Sequence, residues 1–321
     1  MNNYLMQFDF NAFNLKFDYD KYEKSKSWNG EKEYMLKFLI SSPIFNQISN
    51  FLISDFKILL IKNCPIDKNL PKSPIITGYE KPKNFKIVRD FILSIYDILN
   101  IIPYAYKYEN SGKLFRSVVP VKNNDNMIGS YGSNIAFNFH SDNPTYKIYG
   151  EYRKKSLNSP EFLSLYCIRG QKDVNTNVIV LNDIINLLDS KTIDILSSNL
   201  FTVNTPNSFD KYHKVKNVSV ISKQNKKYYT RFDYHNLKPT NKKSLKALNN
   251  FISKISKIEI LNHEFKSGDF LIFKNQEVLH SRDAFKPLYN GFDRWLIRVY
   301  GASNIAFLNN KEIKFGVKQC F

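Results

Sequence analysis

Apolar and polar positions change their period along this chain, and the change divides it into two halves. Residues 31–52 carry Tyr34, Leu36, Phe38, Leu39 and Ile44 at loosely helical spacing, with Pro43 as a break. Residues 56–62 form a short apolar run that ends before Pro65 and predicts a strand. Residues 86–100 predict an amphipathic helix, because Val88, Phe91, Ile92, Ile95 and Ile98 recur at three- and four-residue steps. The second half is β-rich: residues 161–168 and 177–181 are short, apolar and bounded by turn residues. A helix is expected over 182–199, capped by Asn182 or Asp183. Residues 218–222 and 227–232 flank Lys223-Gln224-Asn225 as a hairpin, 244–255 predict a further helix, and 269–273 and 294–300 predict strands. The expected fold is mixed α/β, a closed or double-sheet β core wrapped by helices. With no Pro/Gly linker, the expectation is a single domain over 1–321, with a mainly helical N-terminal wrap (1–105) and a strand-rich core with a helical insert (106–301).

Composition narrows the class. The chain has 321 residues, 43% hydrophobic and 24% charged, which is ordinary for a globular protein. No stretch approaches the roughly 20 uncharged apolar residues of a membrane helix, and Met1 to Asp9 lack the basic-then-apolar order of a signal peptide. Cys64, Cys167 and Cys320 are an odd number with no metal-like spacing, so neither a disulfide framework nor a zinc site is expected to organise the fold. A cytoplasmic protein is expected. The net charge of +18 raises the question of nucleic acid. Its lysines are scattered from Lys16 to Lys318 without a continuous basic face, even in the dense 211–243 stretch, so no nucleic-acid or membrane partner is expected.

Five histidines are present: His140, His213, His235, His263 and His280. In Ile135-Ala136-Phe137-Asn138-Phe139-His140-Ser141-Asp142-Asn143-Pro144 the alternation runs up to a His-x-Asp, and on an extended chain His140 and Asp142 project to one face. The run from Ser267-Gly268-Asp269 through Leu279-His280-Ser281 delivers His280 at a strand end. Two histidines and one carboxylate on a β scaffold match the facial triad of non-haem Fe(II) oxygenases, which leaves coordination positions open. Two unrelated buried histidines are the competing reading, and spacing alone does not decide between them. A third element changes the balance: Asp293-Arg294-Trp295-Leu296-Ile297-Arg298 places Arg294, Leu296 and Arg298 on one strand face. An inward guanidinium there suits a small diacid bound beside a metal; arginines on a solvated edge strand are the alternative.

With these residues the chain resembles the Fe(II)/2-oxoglutarate-dependent oxygenases, specifically the clavaminate-synthase-like branch of the taurine-dioxygenase (TauD) superfamily. The resemblance runs from about Gly112 to Gly301, through Leu114-Phe115-Arg116-Ser117, Ser130-Tyr131-Gly132-Ser133, His140-x-Asp142, Leu165 to Gly170, Thr176, Arg231-Phe232-Asp233, Gly268-Asp269, His280 and Asp293 to Arg298. It implies a double-stranded β-helix (jelly-roll) core, Fe(II) held by the catalytic set His140, Asp142 and His280, 2-oxoglutarate anchored by Arg294 with Thr176, and O2 as oxidant. Many members of the branch use Glu as the metal carboxylate where this chain has Asp142. Halogenating relatives replace that carboxylate with a small residue, so Asp142 points to hydroxylation or a related oxidation.

The resemblance also implies a small amino-acid-like substrate. Ser130 and Arg298 match contacts to the α-amino and α-carboxylate groups. Asp233 matches acidic residues that face a guanidinium in arginine oxygenases, with His235 where a second acid would stand. The expectation is hydroxylation of an unactivated C–H bond of a free amino acid, of arginine or lysine type. The alternatives are desaturation, cyclisation or oxidation of a modified or carrier-tethered amino acid in natural-product biosynthesis, or, from another class, a non-catalytic basic jelly-roll binding module. Arg116 stands where relatives carry a neutral amide and suits a substrate with an extra acidic group; His213 and His263 are expected to be structural or surface residues.

Overall fold

The structure, a computed structural model, describes residues 3–315 except 26, 154, 208, 210 and 211. Its centre is a pair of facing sheets. The larger runs Leu5–Asp9, Ile58–Lys62, Phe270–Lys274, Phe162–Arg169, Trp295–Ala302, Ile102–Tyr106 and Ile313–Phe315, and Arg116–Val118 also pairs with Trp295–Ala302. The smaller runs Leu261–Glu264, Asn175–Val180, Val278–Arg282 and Phe137–His140. Only the Leu5–Asp9 and Ile58–Lys62 pair is parallel among these described ladders.

Strand alternation builds three apolar layers from these two sheets. In Phe162–Arg169, Leu163, Leu165 and Cys167 join Val178, Val180 and Val278 of the smaller sheet in the core between the sheets. Phe162, Tyr166 and Ile168 point the other way, onto Phe91, Ile92 and Ile95 of the helix Lys86–Ile98. On the far side of the smaller sheet, Ile179 and Leu279 pack with Leu248 and Phe251 of the helix Lys242–Ile255. Both inner strands are therefore buried on two faces, which explains why their sequences read as near-continuous apolar runs.

The N-terminal 105 residues wrap the outer face with helices, including Trp28–Ile40 and Phe45–Ser49 on either side of Pro43, and they also supply three strands of the larger sheet. The helix expected over 182–199 is two helices, Leu181–Ile185 and Ser190–Leu196. Asp189 takes extended backbone between them and its carboxylate accepts from Thr192 N–H, starting the second helix afresh. The first carries no side-chain cap, so neither Asn182 nor Asp183 serves as one. The hairpin turns at Asn225-Lys226, both left-handed (φ 49° and 64°), between Ile221–Gln224 and Lys227–Thr230. That is one residue beyond the expected turn; two left-handed residues match the twist of a two-residue hairpin. Cys64 and Cys167 are free and buried, and Cys320 lies outside the described residues. Among the described residues no helix is long and apolar enough to cross a membrane.

Candidate active site

Register brings the two histidines together. Phe137–His140 and Val278–Arg282 are antiparallel neighbours, and His280 lies directly opposite His140. Facing residues project to the same side of a sheet, and here that side looks onto the larger sheet. The strand ends at His140, two residues before Asp142, and Asn143 turns the chain in a left-handed conformation (φ 58°). Asn275, fully buried between the strands Phe270–Lys274 and Val278–Arg282, fixes that turn: its Oδ1 accepts from Asp142 N–H at 2.9 Å and its Nδ2 donates to Asp142 O at 3.3 Å.

One carboxylate oxygen faces the imidazoles. Asp142 Oδ1 lies 3.3 Å from His140 Nε2 and 3.5 Å from His280 Nε2, and the candidate ligand atoms of the three residues all lie within 4.8 Å of one another. His140 Nδ1 sits 2.8 Å from Asn138 O, which only accepts, so Nδ1 carries a proton and Nε2 is the nitrogen turned to the carboxylate. That Nε2 is buried without a hydrogen-bond partner. Burial, and then the neighbouring His140, push His280 down to about 4, so it is neutral at pH 7. Burial alone would raise the Asp142 carboxyl, but the Arg298 guanidinium and the two imidazoles outweigh it and hold the carboxyl well below its usual range. Two imidazoles and one carboxylate oxygen, converging in a buried site, form a donor set that fits a divalent cation.

The other carboxylate oxygen is held from behind. Arg298 Nη1 donates to Asp142 Oδ2 at 2.8 Å and Tyr300 O–H donates to it at 2.6 Å. Arg298 also donates to Glu109, which accepts from Tyr300 (3.2 Å) and Asn143 (3.3 Å). The anions outweigh the cost of burial and raise the Arg298 pKa above its ordinary value. Tyr300 was legible from alternation, since it stands two residues beyond Arg298 on the same strand face. Glu109 follows the strand Ile102–Tyr106 in a turn without periodicity, and Asn275 lies in a polar turn; neither is marked by pattern.

At the other end of this space Arg294 is buried, and its Nη2 donates to Thr176 Oγ1 at 2.9 Å. Its Nε is buried without a partner, and burial pushes its pKa down to about 10. Arg282 donates to the carbonyls of Ser133, Ile135 and Asp283; burial, and then Arg294, push it down to about 9. His140, Asp142, His280, Thr176, Arg294 and Arg298 all line one inner cavity.

A second cavity of about 220 Å³ opens over His140 and Asp142 and is walled by Ser130, Asp233, His235 and Arg298. The three expected substrate contacts therefore share one site, but each already has work. Ser130 Oγ accepts from Arg116 Nε and Nη2 at 3.0 and 2.7 Å. Asp233 accepts from His235 N–H and Asn236 N–H at 2.9 and 3.0 Å and from Asn236 Nδ2 at 2.8 Å, so both its oxygens serve the turn that follows it. His235 lies on the wall as a ring rather than a second acid, and burial lowers its pKa. His263 pairs with Asp269 at 3.0 Å and His213 with Thr205 at 2.9 Å, both outside this site.

No family model matches the chain. It is 25% identical over 253 residues to the L-asparagine oxygenase of Streptomyces coelicolor, covering 75% of this chain and 70% of that protein. It is 22% identical over 249 residues to the L-lysine 3-hydroxylase of Catenulispora acidiphila, covering 75% of this chain and 66% of that protein. Its fold is similar to a solved asparagine oxygenase in complex with Fe(II), 2S,3S-3-hydroxyasparagine and succinate, with TM-score 0.75 and 19% identity over 94% of this chain and 95% of that one. It is also similar to the non-haem iron oxygenase OrfP in complex with Fe and alpha-ketoglutaric acid, with TM-score 0.70 and 16% identity over the same shares. The fold is thus that of solved non-haem iron oxygenases. In sequence the chain is similar to amino-acid oxygenases, one named for asparagine and one for lysine.

Proposed function

We propose that this chain is an Fe(II)- and 2-oxoglutarate-dependent dioxygenase that hydroxylates an unactivated C–H bond of a free amino acid, on a single-domain jelly-roll scaffold over 1–321. The observation that carries the reading is the meeting of His140, Asp142 and His280 in the cavity that also holds the buried, under-satisfied Arg294. The relatives' names support the substrate class, since they include an asparagine oxygenase and a lysine hydroxylase.

His140, Asp142 and His280 would hold the iron, and Arg294 with Thr176 would receive the distal carboxylate of 2-oxoglutarate. Bound iron supplies the oxidising chemistry, in which 2-oxoglutarate and O2 become succinate and carbon dioxide and one oxygen atom goes to the substrate. The protein's part is geometric and electrostatic. Arg298 and Tyr300 hold Asp142 Oδ2 so that Oδ1 alone faces the imidazoles, and Asn138 fixes the His140 tautomer. An arginine- or lysine-type side chain would meet Asp233, the acid on the outer cavity wall, by displacing one of its turn hydrogen bonds.

The test is an anaerobic Fe(II)/2-oxoglutarate titration, followed by succinate release and product mass over an amino-acid panel. A metal-to-ligand absorption band and a product heavier by one oxygen are expected. Loss of two hydrogens would transfer the reading to desaturation or cyclisation. No band, with salt-sensitive retention on DNA, would replace the enzyme with a basic binding module. Tyr300→Phe removes one donor from Asp142 Oδ2 while keeping the ring, and is expected to weaken iron affinity about 10- to 100-fold, the usual cost of an outer partner. Fe(II) competition against a chelator checks it, and unchanged affinity would remove Tyr300 from the metal's support.

A further inference from the structure

Arg116 and Arg298 are direct neighbours across the larger sheet, in register on the strands Arg116–Val118 and Trp295–Ala302. Both side chains therefore leave the sheet on one face, and like charges placed so are destabilising unless each is compensated. Arg298 is compensated twice, by Asp142 and Glu109. Arg116 is only 3% exposed, yet both nitrogens that bond donate to the neutral Ser130 hydroxyl, and its guanidinium lies 4.7 Å from the Tyr131 ring. Among the described residues no carboxylate pairs with it.

A buried cation without an anion is costly, and this one stands where an anion can reach it. Arg116 lines an outer cavity of about 280 Å³ that shares Ile128, Gly129, Ser130 and Asn207 with the cavity over His140 and Asp142. Among the described residues the one other cationic side chain on that outer wall, Lys113, stacks on the Tyr79 ring at 3.5 Å. From this arrangement we infer that Arg116 receives a carboxylate of the substrate, with Ser130 aligning its guanidinium, while Arg298 is a positioning residue for Asp142. The inference rests on the amino-acid oxygenase reading and names the chemical group that reading left open. The carboxylate is either the α-carboxylate, with Arg116 taking the place expected of Arg298, or an acid at the side-chain end.

Calorimetric binding of amino acids to the anaerobic Fe(II)/2-oxoglutarate-loaded protein tests it, using wild type, Arg116→Gln and Arg116→Lys. The panel pairs aspartate with asparagine and glutamate with glutamine, and adds the α-carboxamide of the tightest ligand. Arg116→Gln should weaken the tightest ligand about 10- to 100-fold, the usual range for a hydrogen bond to a charged group, with the absorption band and Tm retained; Arg116→Lys should recover part of the loss. If the α-carboxylate is the partner, the α-carboxamide loses the same factor on wild type and nothing further on Arg116→Gln. If a side-chain acid is the partner, wild type prefers each acid to its amide and Arg116→Gln erases the preference. Unchanged affinities in Arg116→Gln with the band intact would overturn the inference, as would loss of fold in both variants, which marks a structural arginine. Absence of the band in wild type would instead fail the iron reading, and amino-acid binding to the unloaded proteins would still report on Arg116.

Discussion

Asp142→Ala and His140→Ala are each expected to abolish iron binding, and turnover with it, a loss beyond the 10- to 100-fold that an outer partner costs. The reason is how few donors converge: among the described residues one carboxylate oxygen and two imidazoles would hold the ion, and Arg298 and Tyr300 are engaged by the other carboxylate oxygen. The two variants should differ in the metal-free protein. His140→Ala removes a ring whose Nε2 has no hydrogen-bond partner among the described residues, at the cost of its packing against Phe137 (ring centroids 3.7 Å apart). Asp142→Ala removes an anion from Arg298 and leaves that buried guanidinium to Glu109 alone; breaking a buried ion pair costs about 3–5 kcal/mol, and the remaining partner reduces this. Asp142→Asn should lose iron while sparing most of the fold. The Asp142 carboxyl is depressed in the folded state, so its contribution to stability is present above the unfolded carboxyl pKa and is lost as pH falls through the folded one. The wild-type apo protein should therefore lose this increment at acid pH and Asp142→Asn should not, as thermal melts across pH would show. Full iron affinity in either alanine variant would remove the proposed centre.

His140 and Asp142 were legible because the first ends a strand and the second follows it just before a turn; His280, expected at a strand end, stands instead in the middle of Val278–Arg282 and was marked only by its sequence context. Their convergence was not: His140 and His280 meet only because their strands are neighbours in the smaller sheet, and long-range pairing leaves no local trace. Arg294 was read from its strand face and its chemistry and Thr176 from the resemblance, and the structure joins them by a hydrogen bond. Arg298 shows the reverse limit. Its face of the strand followed from alternation, but its partners did not, because Glu109 reaches it from a turn after a strand that the pattern did not reveal. In Ile102–Tyr106 the polar phenolic tips of Tyr104 and Tyr106 masked the apolar rings that pack in the core. The division of 182–199 was hidden for a related reason: Asp189 acts through one local hydrogen bond, while the apolar spacing carries through the break.

Arg294→Met should separate co-substrate binding from folding. The Arg294 guanidinium is buried, donates to a neutral hydroxyl, and keeps its Nε without a partner; burial, against the opposing pull of Cys167 and Asp283, depresses its pKa to about 10. A base whose folded pKa falls below its unfolded value opposes folding while it is charged, and the penalty fades only as pH rises past the folded value. Apo Arg294→Met, similar in length and uncharged, should therefore melt no lower than wild type at neutral pH. Its 2-oxoglutarate affinity should collapse, because truncating one partner of a buried charge pair costs about 2–5 kcal/mol, from roughly 30-fold to several thousand-fold. Melting under anaerobic Fe(II) reads both effects at once. At 2-oxoglutarate about 100 times its Kd, wild type gains about 2.7 kcal/mol, several degrees for a chain of this size, whereas Arg294→Met should keep at most about 0.9 kcal/mol of that gain at the same concentration. If the variant kept the shift, the diacid would be held elsewhere, with the Arg282 guanidinium on the same cavity as a cation left to take it.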